Sequence, residues 1–430
     1  MTWNLHQYYA NKTDGLIGKL RLSENERNKL LSLRDTIRWR IKTVFDEAKA
    51  VAKLAVKEHL SQEQVRVELT RTELKHLSPE EQMEVAKLIF QMEDEAREEF
   101  LSLSPRFWTQ GSFKYDTLNR PFHPGQEMDI DDGTYMPMSI FETEPKIGHT
   151  LLILLVDSAL KTLAAENSGW IFEAKRTCGR IKIKNEKTHI DVPMYAIPKD
   201  QFLQKEPAKK IAKNSRMLES VSVEDAAIDE SYGVDTEHVN LALRDGDQKW
   251  TNSDPKIVED WFERSRYRIG NHLPYICRYM KAWRDAQWDV GGPTSISLMA
   301  AIVEILDSVA HKKDDLSETM KVVADHLYNE FSKGVESPDP TDGKPLFPPL
   351  REHTNRERDI MAKLQELPKI LRDAEIAESK QASLNLINKA FGNRVINEQL
   401  IVAIAAAPAF HQKPEVSNSA AKINKTMVSG

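Results

Sequence analysis

The segment Glu127-Met128-Asp129-Ile130-Asp131-Asp132 restricts the fold more than any other stretch of this chain. Acidic and apolar residues alternate in it, and on an extended strand residues two apart share a face. Asp129 and Asp131 then stand together on one side, while Met128 and Ile130 bury on the other and Asp132 faces away from the pair. Two carboxylates held side by side repel, a cost that a bound divalent cation relieves. A solvated acidic turn is the plain alternative for such a run taken alone.

Two further features bracket it in order. Upstream, Gln110-Gly111-Ser112 follows Arg106-Phe107-Trp108. A Gly-Ser pair entering a helix leaves backbone N–H groups free and adds a hydroxyl, which together can hold a phosphate. Downstream lies His189-Ile190-Asp191-Val192-Pro193-Met194-Tyr195, with one Asp in an apolar strand run. A carboxylate there is costly unless paired or metal-bound. Taken alone, a salt bridge to Arg180 or Lys182 would satisfy it.

The chain has 430 residues, enough for two packed lobes at roughly 100–200 residues per domain. Residues 23 to 102 read as helices. Ser23-Glu-Asn-Glu forms a capping-box pattern ahead of Leu30, Leu33, Ile37, Ile41 and Phe45, and Ser78-Pro79 opens a second run. From 105 to 200, short strand-like runs appear at Met128–Ile130, Trp170–Glu173, Arg180–Lys184 and His189–Tyr195, around an apolar helix at 150–166. Residues 205–237 form a polar excursion. Helices return at 255–287, 293–310, 316–332, 355–378 and 380–390, interrupted by the proline-dense loop from Ser337. The fold class is α+β, a small mixed sheet with helices plus a helical C-terminal lobe. We divide the chain into an N-terminal helical spine packing on both lobes (1–104), a strand-rich core (105–240), a helical lobe (241–408) and a flexible tail (409–430).

Composition narrows the function. The formal net charge of −6 argues against a nucleic-acid activator, which needs a broad basic surface. Cys178 and Cys277 are too few for a disulfide framework or a zinc cluster, and they fit a reducing cytoplasm. The first residues lack a signal-peptide pattern. The apolar stretch from Leu151 is broken by Asp157 and Lys161 and reads as shorter than the about 20 residues a bilayer span needs. We expect no membrane contact.

Gly-Ser, then Asp-x-Asp, then a single strand Asp is the order found in the polymerase-β-like nucleotidyltransferase superfamily. The catalytic and metal-binding residues are then Asp129, Asp131 and Asp191, holding two Mg²⁺. One ion lowers the pKa of an attacking ribose hydroxyl and the other steadies the pyrophosphate leaving group. Oxygen ligands suit magnesium.

Longer stretches sharpen the resemblance. Gln110-Gly-Ser-Phe-Lys-Tyr-Asp-Thr-Leu-Asn-Arg-Pro, Glu127-Met-Asp-Ile-Asp-Asp-Gly-Thr-Tyr-Met-Pro-Met, Thr177-Cys-Gly-Arg-Ile-Lys-Ile, Thr188-His-Ile-Asp-Val-Pro-Met-Tyr-Ala-Ile-Pro-Lys and Lys281-Ala-Trp-Arg-Asp-Ala-Gln-Trp closely resemble the DncV-type bacterial cyclic GMP-AMP synthases. These belong to the cGAS/DncV-like nucleotidyltransferases of anti-phage (CBASS) defence. The resemblance covers almost the whole chain and is weakest at 203–237. It implies 3′,3′-cyclic GMP-AMP made from ATP and GTP through a linear intermediate, and a downstream effector that reads the product.

It also implies nucleotide contacts at Gln110, Gly111, Ser112, Phe113, Lys114, Tyr115, Arg180, Ser253, Lys281, Ser295 and Asp342. Each has a structural alternative. Lys281 could be a solvated lysine, Ser295 a helix cap, and Tyr115 a core aromatic. Some relatives are inhibited by folate-like molecules, for which Arg34, Arg38, Lys42, Arg106, Phe107 and Trp108 are the corresponding candidates; a solvated basic stripe is the alternative. The terminal Gly430 implies conjugation by an E1/E2-like partner, against an inert end. Two other functions compete: a catalytically silent nucleotide sensor, and a linear oligonucleotide synthase on the same fold. We expect a monomer when the chain is alone.

Overall fold

The computed structural model describes residues 2–137, 145–197, 239–246 and 249–404. The polar excursion at 205–237 and the tail with Gly430 lie outside the described residues.

Reciprocal capping starts the long helix α3, Glu24–Lys57, after β1 (Trp3–Asn4), α1 (His6–Ala10) and α2 (Leu16–Leu20). Ser23 Oγ accepts the Glu26 N–H, and Glu26 accepts the Ser23 N–H at 2.7 Å. The same device at Ser61 and Ser78 starts α4 (Gln62–Leu69) and α5 (Pro79–Phe90), and α6 spans Asp94–Ser102. These helices bury Leu30, Ile37, Ile41, Phe45, Val85 and Leu88 in one core with the sheet. Residues 3–20 do otherwise. Trp3, Tyr8, Tyr9, Leu16 and Leu20 belong to a second core made with the C-terminal helices.

The sheet orders β2 (Arg106–Gln110), β3 (Met128–Pro137), β6 (Thr188–Ile197), β5 (Cys178–Ile183) and β4 (Trp170–Lys175), with short α7 (Gly111–Lys114) after β2. β3 and β6 run parallel, while β2–β3, β5–β6 and β4–β5 are antiparallel. β7 (Asn240–Ala242) pairs with the far end of β6, and β8 (Trp250–Asn252) follows. Sequence reading misses β2, whose Arg-Phe-Trp-Thr-Gln lacks a clean alternation because nearly every side chain is half-buried.

Helix α8 (Pro145–Glu166) runs for 22 residues, longer than its sequence suggests. By length and composition its apolar part, Gly148–Glu166, could cross a membrane, yet 72% of that window is buried inside the protein. Leu151, Leu155, Leu160 and Leu163 join the core formed with α3 and the sheet, so it is a core helix.

The run expected as one helix at 255–287 is two. α9 (Pro255–Ile269) stops at Gly270, whose φ of +135° suits glycine, and α10 (Leu273–Gln287) begins three residues later. α11 (Ser295–Ser308), α12 (Leu316–Lys333), α13 (Asn355–Glu375) and α14 (Lys380–Phe391) complete the lobe. Phe262, Trp283, Ile302, Phe331, Leu364 and Ile387 fill its core. β9 (Val402–Ala403) returns to pair with β1, so Trp3 lies opposite Ala403.

Candidate active site

Strand register builds the site. Gln110 pairs with Asp131, Asp131 with Asp191, and Asp191 with Arg180, a continuous row across β2, β3, β6 and β5. Two residues back, Asp129 pairs with His189 and His189 with Lys182. Because side chains alternate along each strand, both rows present the same face. The three aspartates named from sequence therefore converge.

Gly111 closes one side. Its φ is +67°, and a Cβ there would lie 2.2 Å from Asp131 Oδ2. The Gly-Ser turn is thus glycine for two reasons: the backbone conformation, and a carboxylate filling the place of a side chain. Burial first, then the neighbouring Asp129 and Asp191, push the Asp131 carboxyl well above its ordinary range. Asp191 is held by Arg180, whose Nε and Nη2 donate to its two oxygens at 2.6 and 2.7 Å. Lys182 pairs instead with Glu127, at 2.9 Å.

His189 is a site residue that sequence reasoning passes over. Its Nδ1 lies 3.1 Å from Glu127 Oε2 and its Nε2 3.1 Å from Asp129 Oδ1. Burial opposes its protonation, but the Asp129 carboxylate outweighs burial and the imidazole pKa is raised. The available signal is position: His189 stands two residues before Asp191, on the same face. Ligand atoms of Asp129, His189 and Asp191 all lie within 4.8 Å of one another. Asp129 Oδ1 is buried against His189 Nε2. A cluster of repelling carboxylates drawn this close fits a divalent cation with oxygen preference. Cys178 and Cys277 are free and buried, and burial pushes both thiols up to about 12, so neither offers a thiolate.

Asp132 faces away, as its parity requires. It is 1% exposed and accepts from Arg38 Nε and Nη2 at 2.7 and 2.6 Å and from Thr109 Oγ1 at 2.9 Å. Arg34, also buried, donates to the same Thr109 hydroxyl at 3.0 Å. The solvated-stripe reading of Arg34 and Arg38 is therefore wrong, because both arginines are drawn onto the back of the sheet by Asp132 and Thr109. Arg38 and Lys42 stand over Phe107, at 5.6 and 5.5 Å from its ring centre. Trp108 donates to Glu259 at 3.0 Å with Lys256 above its ring, and Arg106 begins the same edge strand.

The remaining nucleotide candidates fall into groups. Gln110 is buried and donates to Tyr195 Oη at 3.1 Å, leaving its Oε1 without a donor. Ser112 is half-buried at the start of α7, and Phe113 is buried under Arg27. Lys114 lies 3.5 Å from Glu259, and Tyr115 packs on Phe262 in the second core. Lys281 is not solvated: its Nζ is buried and donates to Thr117 O at 2.7 Å, and burial, then Arg284, brings its pKa down to about 7. Ser295 is not a cap either. Thr294 accepts the Ser297 N–H, while Ser295 Oγ accepts from Arg284 at 2.8 Å. Ser253 bonds through its N–H to Val239 O, and exposed Asp342 bonds within its own loop to Ser337.

Comparison with known proteins decides the family. The domain described as "Cyclic GMP-AMP synthase DncV-like, nucleotidyltransferase domain" matches residues 105–195, and "Cyclic GMP-AMP synthase, C-terminal domain" matches 270–404. Cyclic GMP-AMP synthase of Vibrio cholerae is 63% identical over 434 residues, covering 100% of both chains. This chain belongs to the DncV-like cyclic GMP-AMP synthases. It is a nucleotidyltransferase. An Escherichia coli member of the family is 57% identical over 435 residues, again covering 100% of both. Among solved DncV-like structures, the V. cholerae di-nucleotide cyclase in complex with GTP and 5MTHFGLU2 has a TM-score of 0.87 at 63% identity, and its complex with the linear intermediate 5′ pppA(3′,5′)pG has 0.86 at 62%. Each match covers 94% of this chain and 100% of the other. The mixed sheet and helical lobe of the DncV-like fold are those described above.

Proposed function

We propose that this enzyme makes 3′,3′-cyclic GMP-AMP from ATP and GTP through a linear intermediate, in the cytoplasm, as a second messenger of anti-phage (CBASS) defence. One observation carries the reading: three aspartates from two adjacent strands meet beside a Gly-Ser turn whose glycine lets Asp131 approach the backbone. The relative's complexes with GTP and with a linear dinucleotide support the substrate class. Asp129, Asp131 and Asp191 would hold two Mg²⁺, with His189 orienting Asp129. When bound, the ions acidify the attacking hydroxyl and neutralise charge on the triphosphate. Gly111 and Ser112 offer backbone N–H groups and a hydroxyl to the phosphates. Gln110, Phe113, Lys114, Tyr115, Arg180, Ser253, Lys281, Ser295 and Asp342 make up the surrounding nucleotide contacts.

The test is purified enzyme with the four nucleoside triphosphates and Mg²⁺, with products read by mass spectrometry. A phosphatase-resistant cyclic dinucleotide is expected, absent with Asp131→Ala. A phosphatase-sensitive linear chain supports the oligonucleotide synthase, and no pyrophosphate release supports the silent sensor.

Two regulatory sites belong to the same proposal. A folate-like inhibitor would lie on Arg34, Arg38, Lys42, Arg106, Phe107 and Trp108, a reading supported by the relative's complex with 5MTHFGLU2. Gly430 would be conjugated by an E1/E2-like partner, and a search for its isopeptide in cells by mass spectrometry tests this.

A further inference from the structure

Arg278 and Lys281, one turn apart on α10, reach from the helical lobe to a single turn of the other lobe. Arg278 is 3% exposed. Its Nε donates to Asp116 O at 2.8 Å, Nη2 to Asp116 Oδ1 at 2.8 Å, and Nη1 to Leu118 O and to Asn119 Oδ1. Lys281 takes the carbonyl between them, Thr117 O. Three consecutive carbonyls thus point out of their own lobe into one helix, a course set by Asp116 at φ +54°. Asn119 Nδ2 returns a bond to Arg278 O at 2.9 Å.

This turn is fastened to the phosphate turn. Tyr115 N–H donates to Gly111 O and Thr117 N–H to Ser112 O, at 3.1 and 2.9 Å. Helix α7 has only four residues, so its placement depends on what holds its end. We propose that Arg278 is a positioning residue for nucleotidyl transfer, holding Gly111 and Ser112 in place beside Asp131 through the 116–119 turn. The inference rests on the reading of Gly111-Ser112 as the phosphate turn. A guanidinium fork serves several fixed acceptors at once, whereas a lysine ammonium is a point charge and does not replace it.

The experiment compares Arg278→Ala, Arg278→Lys and Asp116→Gly with wild type for kcat, KM, GTP affinity and thermal melting. A displacement of about 1 Å costs about 100-fold, and a loss of that order in kcat/KM is expected for Arg278→Ala, with weaker GTP binding. Millimolar methylguanidine restores part of it, and Arg278→Lys stays impaired. Asp116→Gly, which tolerates the positive φ but frees the turn and takes one partner from the Arg278 fork, melts lower and loses more kcat/KM than its folded fraction at the assay temperature accounts for. Wild-type kcat/KM in folded Arg278→Ala overturns the proposal, as does a loss that follows the folded fraction and ignores methylguanidine. Should Arg278→Ala not fold, Asp116→Gly decides alone, and an unchanged kcat/KM there is the refuting result. Failure of the parent reading is seen separately, as turnover that survives Asp131→Ala.

Discussion

Arg180 grips Asp191 with two hydrogen bonds across neighbouring antiparallel strands. The same carboxylate is the third member of the acidic cluster, so a cation and the guanidinium compete for its oxygens. Arg180→Gln is therefore expected to lower the metal concentration needed for half-maximal activity. Maximal activity should fall as well, since Arg180 is one of the proposed nucleotide contacts. A metal titration of pyrophosphate release checks both, and an unchanged metal requirement counts against the competition.

Asp131 is costly to the folded protein when no cation is bound, because it is buried beside Asp129 and Asp191. Asp131→Asn removes a charge without changing shape. The metal-free variant should melt higher than wild type, by about 1 °C for each kcal/mol of relieved repulsion in a chain of 430 residues. Activity should vanish, and the wild type's Mg²⁺-dependent rise in melting temperature should shrink. Melting curves with EDTA and with Mg²⁺ measure this.

Arg38 has a structural duty that complicates its use as an inhibitor-site probe. It neutralises Asp132, and removing one partner of a buried pair costs about 3–5 kcal/mol. Arg38→Ala should unfold at clearly lower denaturant and lose activity without any folate-like compound. Lys42→Ala, lacking such a partner role, should leave stability and basal turnover near wild type while weakening inhibition. Urea unfolding paired with inhibitor titration separates the two.

Lys281 gives a pH signature. Burial lowers its folded pKa to about 7, far below the unfolded 10.5. Neutral amine contributes stability above the unfolded value, and that contribution is lost as pH falls toward 7. With Lys281 at the proposed nucleotide contact, a bound triphosphate favours the charged form, so nucleotide binding takes up a proton and tightens as pH falls through the region around 7. Calorimetry in two buffers of different ionisation heat reads the uptake, which should disappear in Lys281→Met.

Local patterns carry much of this molecule. The Ser23 and Ser78 caps, the period-two acids of β3 and the lone Asp191 are each decided within a few residues, and each is legible in the sequence. What connects distant segments is not. The parallel register that sets Asp131 beside Asp191, and Asp129 beside His189, comes from packing across α8 and is invisible to spacing. The basic face of α3 looks solvated because Asp132 and Thr109, its partners, lie far along the chain. Lys281 looks solvated for the same reason: its partner Thr117 belongs to another lobe. The break at Gly270 depends on a backbone angle that helical periodicity on either side conceals.

The pairing of Trp3 with Ala403, extended by the bond from Ile404 N–H to Thr2 O at 2.9 Å, brings the two ends of the described chain side by side. A short peptide could splice them, allowing a circularly permuted enzyme to be opened in a loop elsewhere. A label fused at the front would crowd β9 and Ile404, so reporters meant to leave that edge clear belong in an internal loop.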